Sequence, residues 1–152
     1  SEKFFDLCLR SINTNYVGLV SLLNIIASHF IDHRTKGFII GISSVAGERG
    51  RSSNYIYGSA KSGFTTYLSG LRSQLNQYDI HVLTVLPGYV VTKMTKDIKL
   101  PRLITCSPEF VSKKIIKAQI EKKNVIYIKW FWKYIMYVVK SIPESFFKKL
   151  DF

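Results

Sequence analysis

Hydrophobic positions recur at helical spacing through residues 2–31 and predict one long amphipathic helix at the start of the chain. Ser1 is a candidate cap for this helix. The polar stretch 13–15, Asn-Thr-Asn, is poor helix material and favours a kink. Gly37 follows a basic segment and ends the helical pattern.

The next pattern is a set of short, continuously apolar runs, which is typical of parallel strands buried on both faces. A helical pattern over 55–77 separates the first two runs, and a Ser-, Gly-, Arg- and Asn-rich loop at 44–54 precedes it. Residues 92–107 have no regular pattern. The predicted strands are 38–43, 80–86 and the shorter 125–128.

Three further helices are predicted in the last third of the chain. The first runs over 108–122, with Ser107 as its cap and a proline in its first turn. Two short amphipathic helices follow, at 130–140 and 143–150. The spacing from Ser141 to Glu144 matches a capping box for the last of them.

The alternation of helices and strands predicts an α/β fold with a doubly wound parallel sheet. No convincing linker or internal repeat interrupts residues 1–152, so one domain is expected, with 129–152 forming a basic aromatic tail. In such a sheet, ligands bind beyond the carboxyl ends of the strands.

The charge is unevenly distributed along the chain. The formal net charge is +12, and residues 93–152 contain 14 Lys/Arg against 5 Asp/Glu. This asymmetry indicates an anionic partner, either a membrane surface or a phosphate-bearing substrate, or else a merely solvated lysine-rich face. Nucleic acid is not expected as a partner, because no reading motif accompanies the charge.

The cysteines and histidines suggest little chemistry. Cys8 and Cys106 predict two free thiols in a reducing compartment, and therefore a cytoplasmic protein. His29 and His33 have helical spacing for a metal, but no third ligand lies at fitting spacing, so no metal site is expected. No run of about 18 uncharged apolar residues occurs, so a spanning helix is not expected either.

Polar residues at two predicted strand ends suggest a proton-transfer site. The first strand leads into Ser43 and Ser44, and the helix that follows begins near Tyr57 with Lys61 four residues later. That spacing puts Tyr57 and Lys61 on one face. A nearby ammonium lowers the pKa of a tyrosine, which is ordinarily about 10, and so suits it to general acid/base work.

The alternative for this pair is an ordinary helix with a core tyrosine and a surface lysine. The tyrosine–lysine spacing alone is a weak signal. Here, however, a hydroxyl-bearing strand end precedes Tyr57, and a Pro-Gly strand end at Pro87-Gly88 follows Lys61. The combination favours the proton-transfer site.

In these residues the chain resembles the short-chain dehydrogenase/reductase family, in family order and over nearly its whole length. Gly41 to Gly47 is similar to the strand with the catalytic serine, and family spacing selects Ser44 rather than Ser43. The resemblance implies that Ser44 binds the substrate oxygen and that Tyr57 is the general acid/base. It also implies that Lys61 lowers the pKa of Tyr57 and holds the nicotinamide ribose.

Two further segments take implied roles from the same family. Asn15, with a glycine three residues later, is similar to the family's helix-kink asparagine, which holds a water that relays protons to the lysine; Asn13 is the nearby competitor. The segment 87–92 resembles the one that closes over the nicotinamide. Its implied cofactor-binding residues, besides Tyr57 and Lys61, are Pro87, Gly88, Val90 and Thr92.

The resemblance covers the C-terminal part of the family fold. No G-x-G-x-x-G motif occurs, and on the order of 90–100 residues of the doubly wound plan are not represented, so an incomplete Rossmann-type sheet is expected. The chain alone is expected to bind dinucleotide weakly. The implied cofactor is NADP or NAD, with NADP slightly favoured, and the implied full-length form is a homo-oligomer.

The resemblance implies hydride transfer between the cofactor and a carbonyl or secondary alcohol. Gly47-Glu48-Arg49-Gly50-Arg51 and the aromatic, basic tail look most like reductases of the decaprenylphosphoryl-ketoribose type, so the substrate is a small or a lipid-linked molecule. The segment 130–150 is interpreted either as a peripheral membrane contact or as a lid or subunit contact. The alternative function is a catalytically inactive membrane- or partner-binding module.

Overall fold

The computed structural model describes residues 2–92 and 103–150. The helices, in chain order, are α1 (Glu2–Ile12), α2 (Gly18–Asp32), α3 (Tyr55–Leu75), α4 (Pro108–Ile120), α5 (Phe131–Ser141) and α6 (Glu144–Phe147). The strands are β1 (Phe38–Ile42), β2 (His81–Leu86), β3 (Tyr89–Val90), β4 (Thr105–Cys106) and β5 (Val125–Tyr127).

Three strands form a parallel sheet in the order β1-β2-β5, which confirms the predicted α/β class. Ile40 lies opposite Leu83 in the β1–β2 pair, and Thr84 lies opposite Val125 in the β2–β5 pair. Strand β3 pairs with β4 in a second, two-stranded parallel sheet. Because the three main strands run in one direction, their carboxyl ends meet at one edge of the sheet.

A π-helical segment over Asn13–Val17 separates α1 from α2, at the place where the sequence predicted a kink. The amide of Gly18 there bonds to the carbonyl of Asn13, five residues back. The predicted cap, Ser1, lies outside the described residues. The helix from Glu2 to Asp32 is long and apolar enough to cross a membrane by length and composition, contrary to expectation, although core helices of soluble proteins meet the same criteria.

Strand β2 is buried as predicted, but β1 is not. From Val82 to Leu86 every residue of β2 is buried. In β1 the burial alternates, because α2 and α3 cover one face while Phe38, Ile40 and Ile42 on the other face are about half exposed among the described residues. The expectation that residues 38–43 are buried on both faces is therefore wrong for the described structure.

Helix α3 supplies most of the core beneath β1 and β2. Its residues Phe64, Leu68 and Leu75 are at most 2% exposed. A Cβ on Gly41 of β1 would overlap the side chain of Leu68, so the glycine allows the helix to approach the sheet closely. This packing fixes the first turn of α3 next to the carboxyl ends of the strands.

The C-terminal third differs from expectation in two places. The 92–107 segment contains the short strand β4. Helix α6 spans four residues, and Ser141 does not cap it: Ser141 ends α5, and its hydroxyl donates to the carbonyl of Val138. The physical reason is Pro143, which holds Ile142 in an extended conformation and so separates the two helices. By contrast, Ser107 caps α4 as predicted.

Candidate active site

All eight predicted site residues line one cleft at the carboxyl ends of the strands. The cleft has a volume of about 620 Å³. The amide of Val45 donates to the carbonyl of Pro87 at 3.1 Å, which joins the ends of β1 and β2 beneath it. The predicted residues that line the cleft are Asn15, Ser44, Tyr57, Lys61, Pro87, Gly88, Val90 and Thr92.

Ser44 faces Tyr57, whereas Ser43 faces the interior. Ser44 lines the cleft together with Tyr57, and its side chain acts to lower the pKa of the Tyr57 phenol. It also accepts the amide of Ala46 at 3.1 Å and so caps the short 3-10 turn Val45–Gly47. The Ser43 hydroxyl instead donates to the carbonyl of Lys61 at 2.9 Å, a bond that ties the strand end to α3.

Tyr57 sits in the first turns of α3, close to the turn that follows Ser44. Gly58 permits this approach, because a Cβ there would lie 2.8 Å from the carbonyl oxygen of Ala46. Burial raises the pKa of the Tyr57 phenol above its ordinary value, and the neighbouring Ser44 hydroxyl opposes that rise. At neutral pH the phenol therefore holds its proton in this state and can donate it.

Lys61 is 8% exposed, an unusual degree of burial for a lysine. Its ammonium donates to the carbonyl of Ile42 at 3.2 Å and lies 5.7 Å from the centre of the Tyr57 ring. Burial lowers the pKa of this amine. The resemblance implies that Lys61 lowers the pKa of Tyr57. In the structure the pKa of Tyr57 is raised instead, because the ammonium lies beside the ring and burial of the phenol dominates.

Asn15 occupies the π-helical segment and reaches the same cleft. Its side-chain amide donates to the carbonyl of Ser11 at 3.0 Å. The kinked segment packs against α3 at Gly63, where a Cβ would lie 3.3 Å from the Tyr16 ring. Asn13, the competing candidate, is exposed and is not among the residues that line the cleft.

Helix α5 forms a wall of the cleft that sequence reasoning did not assign by residue. A Cβ on Gly88 would overlap the Trp132 indole, so this glycine lets α5 lie against the strand end. Met136 packs with Val45 and Leu86 beneath the wall. The four-residue spacing of Trp132 and Met136, which puts both on one face of a helix, was a sequence signal for this wall. Other cleft residues that were not among the predicted site residues include Arg51, Asn54, Ile135 and Val139.

The fold and the cleft together define an α/β protein of Rossmann type, with a ligand site at the carboxyl ends of its strands. Residues 5–102 match the family model described as short chain dehydrogenase. The chain belongs to the short-chain dehydrogenase family.

Individual relatives agree with this family. An uncharacterized oxidoreductase of Mycobacterium tuberculosis is 33% identical over 141 residues, which are 91% of this chain and 55% of that protein. The chain thus spans about half the length of this curated relative.

Solved structures share the fold. A short chain dehydrogenase from Burkholderia cenocepacia, in complex with NADP, superposes with a TM-score of 0.78 at 17% identity, covering 94% of this chain and 58% of that one. One from Sphingobium yanoikuyae, in complex with NADPH, gives 0.72 at 21% identity, covering 88% and 56%.

Proposed function

We propose that this chain carries the proton-transfer half of an oxidoreductase that uses NADP or NAD to interconvert a carbonyl and a secondary alcohol. The observation that carries the proposal is that Ser44, Tyr57 and the buried Lys61 line one cleft at the strand ends, with the Lys61 amine 5.7 Å from the centre of the Tyr57 ring. Family membership and the NADP- and NADPH-bound neighbours support it.

The residues present fit a nicotinamide nucleotide. Lys61 has three N–H donors, and one of them bonds to Ile42 within the described structure. A buried ammonium with unused donors is unfavourable unless it gains partners, and ribose hydroxyls would be suitable partners. Thr92 and the residues from Pro87 to Val90 line the same cleft and would hold the carboxamide end.

The proposed chemistry assigns one task to each side chain. A bound nicotinamide would supply or accept the hydride. In the reducing direction the substrate oxygen accepts a hydrogen bond from Ser44 and the proton from the Tyr57 hydroxyl, which leaves a phenolate. Lys61 stabilises that phenolate, and Asn15 holds a water from which the proton is restored.

The experiment that tests this function needs a dinucleotide-binding segment. We define the fusion protein as residues 1–152 placed behind the N-terminal part of the M. tuberculosis relative. We expect it to consume NADPH when it is supplied with ketones or aldehydes, and NADH less well. A fusion protein that folds and binds NADPH but reduces no member of a broad carbonyl panel would contradict the proposal.

The substrate is proposed to be a small molecule with an apolar body, and a lipid-linked carbonyl is one such molecule. Trp132, Ile135, Met136 and Val139 line the cleft along α5, so much of this wall is apolar. The likeness to ketoribose reductases stays a prediction. So does the homo-oligomeric state of the full-length protein.

A second candidate function, contact with a membrane surface, is favoured by the exposed aromatic residues just before α5 and on its outer face. Trp130, Tyr134 and Tyr137 are 75%, 62% and 73% exposed, and lysines flank them. Exposed aromatic residues with lysines are typical of helices that lie in a membrane interface. This contact is compatible with the oxidoreductase function. If the chain had no oxidoreductase function, the contact would make it a membrane-binding module.

We expect the chain to sediment with anionic vesicles at low salt, because the aromatic side chains insert and the lysines attract the headgroups. Replacing Trp130, Tyr134 and Tyr137 with alanine should reduce the bound fraction strongly. The matched control replaces Phe110 and Ile120 of α4, also exposed, with alanine and should leave binding unchanged. Absence of pelleting by the parent chain would exclude this contact.

A further inference from the structure

Helix α5, which forms the apolar wall of the cleft, packs against the rest of the fold through few buried side chains. Among its described residues, Met136 alone is buried, and Trp132 and Val139 are partly buried against it. Many of its other side chains face solvent. An element with so few buried apolar contacts needs other interactions to keep a fixed position.

Those interactions come from the loop that follows Ser44. Glu48 is 12% exposed in its side chain, and its Oε1 accepts hydrogen bonds from Lys140 at the end of α5 and from the Tyr127 hydroxyl, both at 2.8 Å. Burial and Glu48 both raise the pKa of Tyr127, so its hydroxyl remains a donor. One carboxylate thus joins the catalytic-serine loop to β5 and α5.

Arg49, the next residue, makes a second set of contacts with the same segment. Its guanidinium donates to the carbonyl of Lys140 at 3.1 Å and to the Glu144 carboxylate at 2.7 Å. It also lies over the Phe147 ring, 4.2 Å from the ring centre. Its side chain is 19% exposed, and Phe147 is buried. The Glu144 carboxylate is 75% exposed, so the bond to the Lys140 carbonyl and the packing on the buried Phe147 ring carry most of this second set of contacts.

We propose that Glu48 and Arg49 are positioning residues that hold α5 and α6 against the cleft, and thereby set how bulky a carbonyl substrate the cleft accepts. The specificity role rests on the proposed function; the holding role does not. Neither side chain lines the cleft, so both act through α5. The loop that contains Glu48 and Arg49 begins one residue after Ser44. The same segment therefore positions both Ser44 and helix α5, the opposite wall of the cleft.

The test reads the position of α5 without requiring catalysis. The chain has two tryptophans, so Trp130→Phe leaves Trp132 as a single fluorescent reporter at the wall. In this background we expect Glu48→Ala to shift the Trp132 emission to the red and to increase its quenching by acrylamide. Glu48→Gln, which can still accept from Tyr127 and Lys140, should retain much of the parent behaviour.

The matched control is Lys36→Glu, which breaks an exposed ion pair of 2.6 Å with Asp79 and should leave Trp132 unchanged. If Glu48→Ala does not fold, Lys140→Met and Arg49→Met test the same contacts one at a time. Parent-like quenching in every folded variant would overturn the holding role.

The specificity role is read in the fusion protein. There, Glu48→Ala is expected to raise KM for bulky ketones on the order of tenfold, because a bulky ketone depends on contact with a fixed α5 wall, while KM and kcat for a small ketone stay close to the parent values. An equal loss with small and bulky ketones would overturn this role. If the fusion protein reduces no carbonyl at all, the oxidoreductase proposal fails, and the quenching data still decide whether Glu48 and Arg49 hold α5.

Discussion

Replacing Tyr57 with phenylalanine is expected to lower turnover by the fusion protein about 10²- to 10⁴-fold. The hydroxyl is the group proposed to exchange a proton with the substrate oxygen, and phenylalanine keeps the ring that packs in the cleft. Ser44 remains in Tyr57→Phe, but its hydroxyl is a far weaker acid than a phenol. The measurement is the steady-state rate of NADPH oxidation with the best carbonyl of the panel.

Tyr55→Phe is the matched control, because Tyr55 lies two residues earlier on α3 and is 52% exposed. It should have the turnover of the parent, and circular dichroism should show both variants folded. Turnover by Tyr57→Phe within a few-fold of the parent would remove Tyr57 from the proposed role and leave the cleft without an assigned acid.

Replacing Leu68 with alanine is expected to lower the free energy of unfolding by about 3–5 kcal/mol. Leu68 is fully buried beneath the sheet, where it packs against Gly41 and with Phe64 and Val82 in one cluster. The loss combines the transfer of the removed methyl groups with the cavity that remains, since β1 and α3 are held apart by their other contacts. Urea unfolding followed by circular dichroism measures it.

Ile120→Ala, at a side chain that is 75% exposed, is the control and should change the free energy of unfolding by less than about 0.5 kcal/mol. A loss below about 1 kcal/mol for Leu68→Ala would mean that α3 is not held against the sheet as described. The position of Tyr57 and Lys61 at the strand ends would then lose its structural basis.

The sequence predicts the elements of the fold well where local signals are strong. The apolar run in β2, the spacing along α3, and the Ser107 cap with its following proline were sufficient. The kink at Asn13–Val17 was also predicted, because polar residues compete for backbone hydrogen bonds there.

Elements whose boundaries depend on tertiary contacts were predicted less well. Nothing in the apolar run of β1 distinguishes a strand covered on two faces from one covered on a single face. The two residues of β4 have no pattern of their own, and they form a strand because β3 offers an edge to pair with. Ser141 has capping-box spacing, but Pro143 decides where α6 begins.

The candidate site divides in the same way, into residues with a local sequence signal and residues that tertiary contacts bring to the site. Tyr57 and Lys61 were found from residue type and spacing, the family resemblance selected Ser44 over Ser43, and all three line one cleft. For the α5 segment the sequence left a membrane contact, a lid and a subunit contact open, and it did not predict the wall residue by residue, because the contacts of α5 with Gly88 and Glu48 join segments far apart in the chain. The raised pKa of Tyr57 also depends on burial that a sequence does not display.

The most direct test of the central claim is to follow the hydrogen that is transferred. The fusion protein is supplied with a ketone and with NADPH deuterated at the nicotinamide C4 position, and the alcohol is analysed by mass spectrometry. We expect one deuterium on the carbinol carbon of the product, with the label lost from the cofactor, and little product when Tyr57 is phenylalanine. Two results would contradict the proposed function. One is an alcohol with no deuterium on the carbinol carbon, whichever face of the nicotinamide carries the label. The other is an equal amount of product from Tyr57→Phe.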